Sequence, residues 1–283
     1  MILSIVLCVS FISYSIENSS SQIETIRMGV IPHRNLDQLE QAHQLLISYL
    51  EQELDLKIEW IVLENYQQQL KKFLSNEIDL TLFGGYGFVK ANEFDQADPL
   101  VMRDIDFHFT SYFLVRNDSS IVNISDLQGQ SLSFGSKLST SGHLMPRFFL
   151  STQGIVPESF FSEVSYSGAH DLTAKWVQNG TVDVGAVNSL VVDAMFKRNQ
   201  LDRNKVKVLW KTPSYPDYVW TARKALPEAF KFKIIEAFLK LSNENVEHNL
   251  LLEALGAKSY FPANGDDFRP IRKIAIQLGM LKQ

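Results

Sequence analysis

The chain is 283 residues long and 45% hydrophobic, enough for two domains with real cores, and it reads as a globular protein. Its 27 Lys and Arg stand against 32 Asp and Glu, and no basic run tracks a nucleic-acid backbone, so nucleic acid is not an expected partner. A mildly acidic chain still binds anions, because a pocket answers to its own N–H groups, hydroxyls and dipoles rather than to the averaged charge.

Met1 to Ile12 is almost wholly apolar and is followed by polar Glu17-Asn18-Ser19-Ser20-Ser21-Gln22. The run is too short to span a bilayer and predicts a signal peptide over residues 1–22, although no Lys or Arg precedes it. A periplasmic or other extracytoplasmic location follows as an expectation. Cys8 is the only cysteine, so neither an intramolecular disulfide nor a Cys-based metal site is expected. Ile5-Val6-Leu7 lacks the small residues that precede a lipidated cysteine, and lipid anchoring at Cys8 is not expected.

Ile26 to Pro32 predicts a buried first strand. Leu36, Leu39, His43, Leu46, Ile47, Leu50 and Leu54 then recur at helical spacing. Lys57 to Leu63 predicts a second strand, Gln67 to Leu74 a second helix, and Asp79 to Phe83 a third strand running into Gly84-Gly85-Tyr86-Gly87. The glycines there suit either a tight turn or close backbone approach at a strand end. Thr110 to Arg116 is an extended run, and after Asn117-Asp118-Ser119-Ser120 a second α/β set begins. Its strands are Ser131 to Phe134, Glu163 to Ser167 and Val182 to Val187, with a helix after Gly142 and another through Trp176. Val206 to Trp210, a polar and aromatic stretch from Thr212 to Thr221, and a helix marked by Phe230, Ile234, Ala237, Phe238 and Leu241 complete the pattern.

This alternation predicts an α/β clamshell of two lobes, each a mostly parallel sheet flanked by helices and joined by two hinge crossings. Residues 23–115 and 217–283 form the first lobe and 116–216 the second. Ligand is expected between them, where loops at the carboxyl ends of both sheets face one another, and hinge closure would turn occupancy into a change of shape.

Ser139-Thr140-Ser141-Gly142 stands out within the second lobe. It follows the Ser131 to Phe134 strand and opens a helix, so three hydroxyls sit beside the unpaired amides and positive pole of a first turn. That chemistry cradles a tetrahedral oxyanion. An ordinary N-cap, which needs only one hydroxyl, is the competing reading.

The run from Phe134 to Pro146 resembles the Ser-Thr-Ser-Gly-x-Leu-x-Pro signature of the phosphate, phosphite and phosphonate substrate-binding proteins of ABC transporters. Ser167-Gly168-Ala169-His170-Asp171, Val182 to Asn188, Trp210 to Pro216 and Pro270-Ile271-Arg272 follow in that family's order, so the resemblance runs from about Ile26 to the end. It implies a type II periplasmic binding fold, a small phosphorus oxyanion as ligand and a membrane permease as partner. It also implies that Ser139, Thr140 and Ser141 donate to phosphoryl oxygens and that His170 reaches the same group. Tyr66 lies where the family often carries a pocket tyrosine, and Tyr86 is a weaker candidate. Asp217 lies where relatives present a carboxylate to the ligand's substituent or to a protonated oxygen. Each has a plain structural reading: a core histidine, a helix-cap aromatic, a turn aspartate. Leu190 stands where binders of aminoalkylphosphonates would want an acid, which favours phosphite, phosphate or a small alkylphosphonate.

An enzyme is not expected. Ser141, His170 and Asp171 suggest a nucleophile set, but no Gly-x-Ser-x-Gly elbow holds a serine as a hydrolase would, which leaves a phosphoester hydrolase as a remote alternative. The six histidines are scattered without metal-ligand spacing, and no nucleotide-binding glycine motif occurs, so neither metal nor cofactor is expected. The same clamshell would also serve a ligand sensor that feeds a membrane receptor kinase. A monomer is expected.

Overall fold

A computed structural model describes residues 23–31, 36–94 and 96–282, with only the backbone of 36–42. The leader, Cys8 and Pro32 lie outside the described residues, as do the side chains of Leu36 and Leu39. The first lobe opens with strand β1 (Thr25–Val30), helix α1 (Leu36–Leu54), β2 (Lys57–Trp60), α2 (Tyr66–Leu74), β3 (Leu80–Phe83), α3 (Gly85–Asn92) and β4 (Ala97–Arg103). β1 pairs in parallel with both β2 and β3, with Ile26 opposite Ile58 and Gly29 opposite Thr81. Met28, Val30, Leu80 and Phe83 are buried, as expected of strands covered by helices on both faces.

After Asp104 to Thr110 the chain enters the second lobe as β5 (Ser111–Arg116), β6 (Ser131–Phe134), a π-helical turn (Thr140–Leu144), α4 (Met145–Thr152), α5 (Pro157–Phe160) and β7 (Glu163–Tyr166). It continues through α6 (His170–Gln178), β8 (Val184–Asn188), α7 (Ser189–Lys197) and β9 (Val206–Lys211). The return delivers β10 (Val219–Arg223), α8 (Glu228–Leu239), α9 (Val246–Leu255), β11 (Tyr260–Pro262) and α10 (Arg269–Gln277) to the first lobe. The sheets run β11-β4-β10-β3-β1-β2 and β7-β6-β8-β5-β9.

Two corrections to the sequence reading follow. β5 pairs with β8 and β9, so residues 111–115 belong to the second lobe and the first crossing is residues 104–110. Its side chains alternate between two apolar layers, Phe113 and Val115 on one face and Leu114 on the other, and such a doubly buried strand suits either sheet. The sheets are also mixed rather than mostly parallel. The βαβ units pair in parallel, whereas β10 lies antiparallel between β3 and β4, and β5 antiparallel between β8 and β9, because each returns from the other lobe. The glycine cluster after β3 opens α3 instead of forming a plain turn. A Cβ on Gly85 would sit 3.2 Å from Phe268, and one on Gly87 would sit 3.0 Å from Phe83.

The crossings are zipped together. Phe109 and Tyr215 exchange backbone hydrogen bonds of 2.9 and 3.0 Å, and the Asp217 amide donates to the Asp106 carbonyl at 2.9 Å. Asp106 is fully buried and takes a two-pronged ion pair from Arg103, both contacts 2.7 Å. The largest apolar core spans the cleft, since Leu144, Met145 and Phe149 of the second lobe join Phe83, Tyr66 and Tyr86 of the first. Each such large side chain removed from water contributes roughly 1.5–3 kcal/mol, so the closed arrangement of the lobes carries its own apolar stabilisation.

Candidate functional site

Ser139 caps the π-helical turn, its Oγ accepting from the Gly142 amide at 2.9 Å, so the plain capping role is real and uses one hydroxyl. Thr140 Oγ1 accepts from the Tyr86 amide at 3.0 Å, tying the turn to the start of α3 across the cleft. Ser141 is buried, and its Oγ has no partner of normal hydrogen-bond geometry among the described residues, although it lies near enough to the Tyr215 hydroxyl and the Asp217 carboxyl to influence both. Its carbonyl accepts from Ser111 Oγ at 2.6 Å; Ser111 Oγ in turn lies 2.6 Å from the Tyr215 hydroxyl, which therefore donates to it. This relay from the second crossing holds the turn from behind.

His170 is the first residue of α6 and is buried. The Asn188 amide can only donate, and it lies 3.2 Å from Nδ1, so the proton of the neutral ring sits on Nε2. That nitrogen faces Tyr66 Oη at 3.2 Å and Ser139 Oγ at 3.4 Å. Burial lowers the imidazole pKa to about 3, so His170 presents an uncharged N–H donor at neutral pH. Tyr66 Oη accepts from Nε2–H, which leaves the phenol's own hydrogen to donate into the same space. Asp171 does not orient the ring: Nδ1 is already engaged, and the Asp171 carboxylate accepts from the Leu172 amide at 2.9 Å.

Asp217 enters from the second crossing, 1% exposed, with Oδ1 accepting from the Gly85 amide at 3.0 Å. Oδ2 has no partner of normal hydrogen-bond geometry among the described residues. Burial pushes the carboxyl up to about 7, against the lowering influence of the nearby Thr140 hydroxyl, the Gly85 amide and Ser141. A Cβ on Gly84 would lie 3.0 Å from Thr140 Oγ1 and 3.2 Å from Asp217 Oδ1, so glycine lets the first-lobe backbone reach both.

The starts of α2, α3, α6, α7 and the π-helical turn thus converge, linked by Tyr66 to His170, Tyr86 to Thr140, and Asn188 to His170. Their positive poles and neutral donors surround two unpartnered buried oxygens, Ser141 Oγ and Asp217 Oδ2. The arrangement suits a small oxyanion that accepts from many donors and carries one proton for the carboxylate.

Of the residues expected from sequence, Ser139, Thr140, Ser141, His170, Tyr66 and Asp217 meet here. The Tyr86 side chain does not: its hydroxyl donates to the Met280 carbonyl at 2.9 Å, and only its amide reaches the site. The C-terminal segment supplies that acceptor from 194 residues away, which local sequence does not reveal. Asn188, Tyr218, Tyr215 and Ser111 were missed as contributors, although Asn188 does carry a cap signal, its Oδ1 accepting from Val191 N at 3.1 Å at the start of α7.

Residues 28–268 match the family model for the ABC-transporter phosphonate periplasmic substrate-binding protein. The chain belongs to that family. All seven site residues named from sequence lie within the matched span. The protein is 30% identical over 274 residues to a probable ABC-transporter phosphite-binding protein, PhnD1, of Prochlorococcus marinus (strain MIT 9301), covering 93% of this chain and 92% of the relative. It is 29% identical over 216 residues to the phosphate-import protein PhnD of Mycolicibacterium smegmatis, covering 72% and 67%. The crystal structure of the Prochlorococcus PhnD1 in complex with methylphosphonate superposes with a TM-score of 0.85 at 31% identity, covering 91% of this chain and 99% of that one. The two-lobe architecture is therefore that of the type II periplasmic binding proteins, and the family is periplasmic.

Proposed function

We propose that this binding protein captures a phosphorus oxyanion, namely phosphite, phosphate or a small alkylphosphonate, between its lobes and presents it to the membrane permease of an ABC transporter. The observation that carries the reading is the pair of unpartnered buried oxygens, Ser141 Oγ and Asp217 Oδ2, set among neutral donors at converging helix starts. A phosphoryl group offers acceptor lone pairs to Ser139, Thr140, Ser141, Tyr66 and His170, and its remaining proton to Asp217. Relatives named for phosphite and phosphate, and one crystallised with methylphosphonate, support the same class. Leu190 follows Asn188-Ser189 where a carboxylate would pair with an amine, which favours ligands without one.

The same geometry favours binding over hydrolysis. His170 Nε2 faces Tyr66 and Ser139 rather than Ser141, and a ring with so low a pKa is a poor base at neutral pH.

Calorimetric titration with phosphite, phosphate, methylphosphonate and 2-aminoethylphosphonate tests the reading. At least one of the first three is expected to bind more tightly than the aminoethyl compound; absence of binding by all four refutes it. Ser141→Ala and His170→Ala should each weaken the tightest ligand by roughly 1.5–3 kcal/mol, or about 10- to 150-fold, the cost of one hydrogen bond to a charged group. Thermal unfolding should show both variants folded, and unchanged affinity in both would remove this pocket from consideration.

A further inference from the structure

Beside the oxyanion site, between the lobes, lies a cavity of about 520 Å³. None of Ser139, Thr140, Ser141, His170, Tyr66 or Asp217 lines it, whereas Asn188 and Tyr218 do. These two residues therefore stand between the site and the cavity. On the site side, the Asn188 amide holds His170 Nδ1, and Tyr218 follows Asp217 directly. The cavity's lining is mixed: Leu82, Leu190, Val191 and Trp220 are apolar, whereas Arg103, Asp171, Lys175, Lys197, Arg198 and Glu253 are charged.

Both side chains are locked. Asn188 Nδ2 donates to the Tyr218 hydroxyl at 2.9 Å while Asn188 Oδ1 accepts from the Val191 amide at 3.1 Å, so both ends of the carboxamide are engaged. Tyr218 is 3% exposed and is held from behind by the Arg103 guanidinium, 5.4 Å from its ring centre, and by the edge of Phe109. Arg103 is itself fixed by its double contact with buried Asp106. A side chain with both polar ends bonded and a ring packed on its far side do not yield to an incoming alkyl group at small cost.

We infer that the hydrogen-bonded pair Asn188–Tyr218 is the wall that sets ligand size, closing the oxyanion site against the neighbouring cavity and limiting the group on phosphorus to hydrogen, hydroxyl or methyl. The inference rests on the phosphorus-oxyanion reading and deepens it. Opening the wall joins the site to a cavity of about 520 Å³ with apolar walls at Leu82, Leu190 and Trp220, room enough for a chain of several carbons laid along those side chains. The protein then becomes a binder of longer alkylphosphonates.

The test compares n-butylphosphonate with the tightest of phosphite, phosphate and methylphosphonate by calorimetry. In the unaltered protein the short ligand should bind at least about 100-fold more tightly. Asn188→Ser shortens the side chain and removes its hydrogen bond to Tyr218, yet keeps an oxygen for the Val191 amide and so preserves the cap of α7. It should cut the preference at least about tenfold, chiefly through tighter butylphosphonate binding. Should that variant fail to fold, Tyr218→Phe breaks the same bond from the other side without changing volume, and should cut the preference at least about threefold. A preference below threefold in the unaltered protein, or one that both folded variants leave intact, overturns the wall while the capture reading stands. Failure of the unaltered protein to bind any short ligand instead refutes the capture reading, and the wall with it.

Discussion

Affinity for the phosphorus oxyanion should fall roughly tenfold for each pH unit above about 7, and Asp217→Asn should abolish that fall. In the proposed binding mode Asp217 Oδ2, unpartnered among the described residues, meets the ligand, and burial pushes its carboxyl up to about 7. A phosphoryl group loses its second proton at about pH 6, so above neutrality both partners are anionic. Two such charges cannot share one buried contact without a proton between them. Binding above pH 7 therefore takes up one proton, and the association constant follows proton concentration. Asparagine keeps an oxygen for the Gly85 amide and turns an N–H₂ donor towards the ligand, so the variant holds the dianion without a proton. Calorimetry from pH 6 to 9 reads the slope; a decline that persists unchanged in Asp217→Asn would assign the titration elsewhere.

The same substitution has a sign in stability. The folded carboxyl holds its proton up to about 7, whereas the unfolded one releases it near 3.8. The stabilising contribution is present below the lower value, declines as pH rises between the two, and is gone above about 7. By then the ionised group costs the fold up to about 4 kcal/mol. Asp217→Asn removes that cost, so in the absence of ligand it should raise Tm at pH 8 by about 2–4 °C per kcal/mol recovered and change it little at pH 4. Equal Tm values at pH 8 would mean that the carboxyl is not under this strain. A residue that weakens the fold where the ligand sits is expected of a binding site.

How much of this was legible depended on which atoms carry the chemistry. In the proposed site Ser139, Thr140 and Ser141 act through side chains inside one compact motif, so residue type and spacing pointed to them, and the family resemblance added His170. The Gly85, Tyr86 and Asn188 contributions are backbone amides, which every non-proline residue owns, and only at Gly84-Gly85 did residue type point to close backbone approach. Tyr66 and Asp217 reach the site across large sequence separations, and sequence offered only their positions in the family's order. At Tyr86 the Met280 carbonyl claims the hydroxyl, so this residue meets the site through its amide alone. The helices and most strands followed from periodicity. The lobe boundary at β5 did not, because Tyr112-Phe113-Leu114-Val115 is apolar on both faces and fits either sheet.

Gly142→Ala should cost at least about 100-fold in affinity, whereas Gly135→Ala, beside the same imidazole, should stay within about threefold. A Cβ at Gly142 would sit 2.8 Å from His170 Cε1, closer than a Cβ approaches its neighbours in folded proteins, and a tight 3.1 Å from Ser139 Oγ. At Gly135 the nearest atoms are 3.5 and 3.6 Å away, an ordinary contact. The ring cannot retreat freely, because the Asn188 amide holds Nδ1 and the site around it is closed. The added methyl must move either His170 or the turn, and both movements pull Nε2 away from Ser139 and Tyr66. In the proposed binding mode the hydrogen bonds that His170 and the Ser139 turn give the charged ligand are then lost together, each worth roughly 1.5–3 kcal/mol. The collision account makes a sharper demand in the His170→Ala background, where the obstructing ring is gone. There Gly142→Ala should add little further loss, so the two losses are less than additive. An equal loss in both backgrounds would show that glycine serves the turn's own conformation and not the close approach of His170.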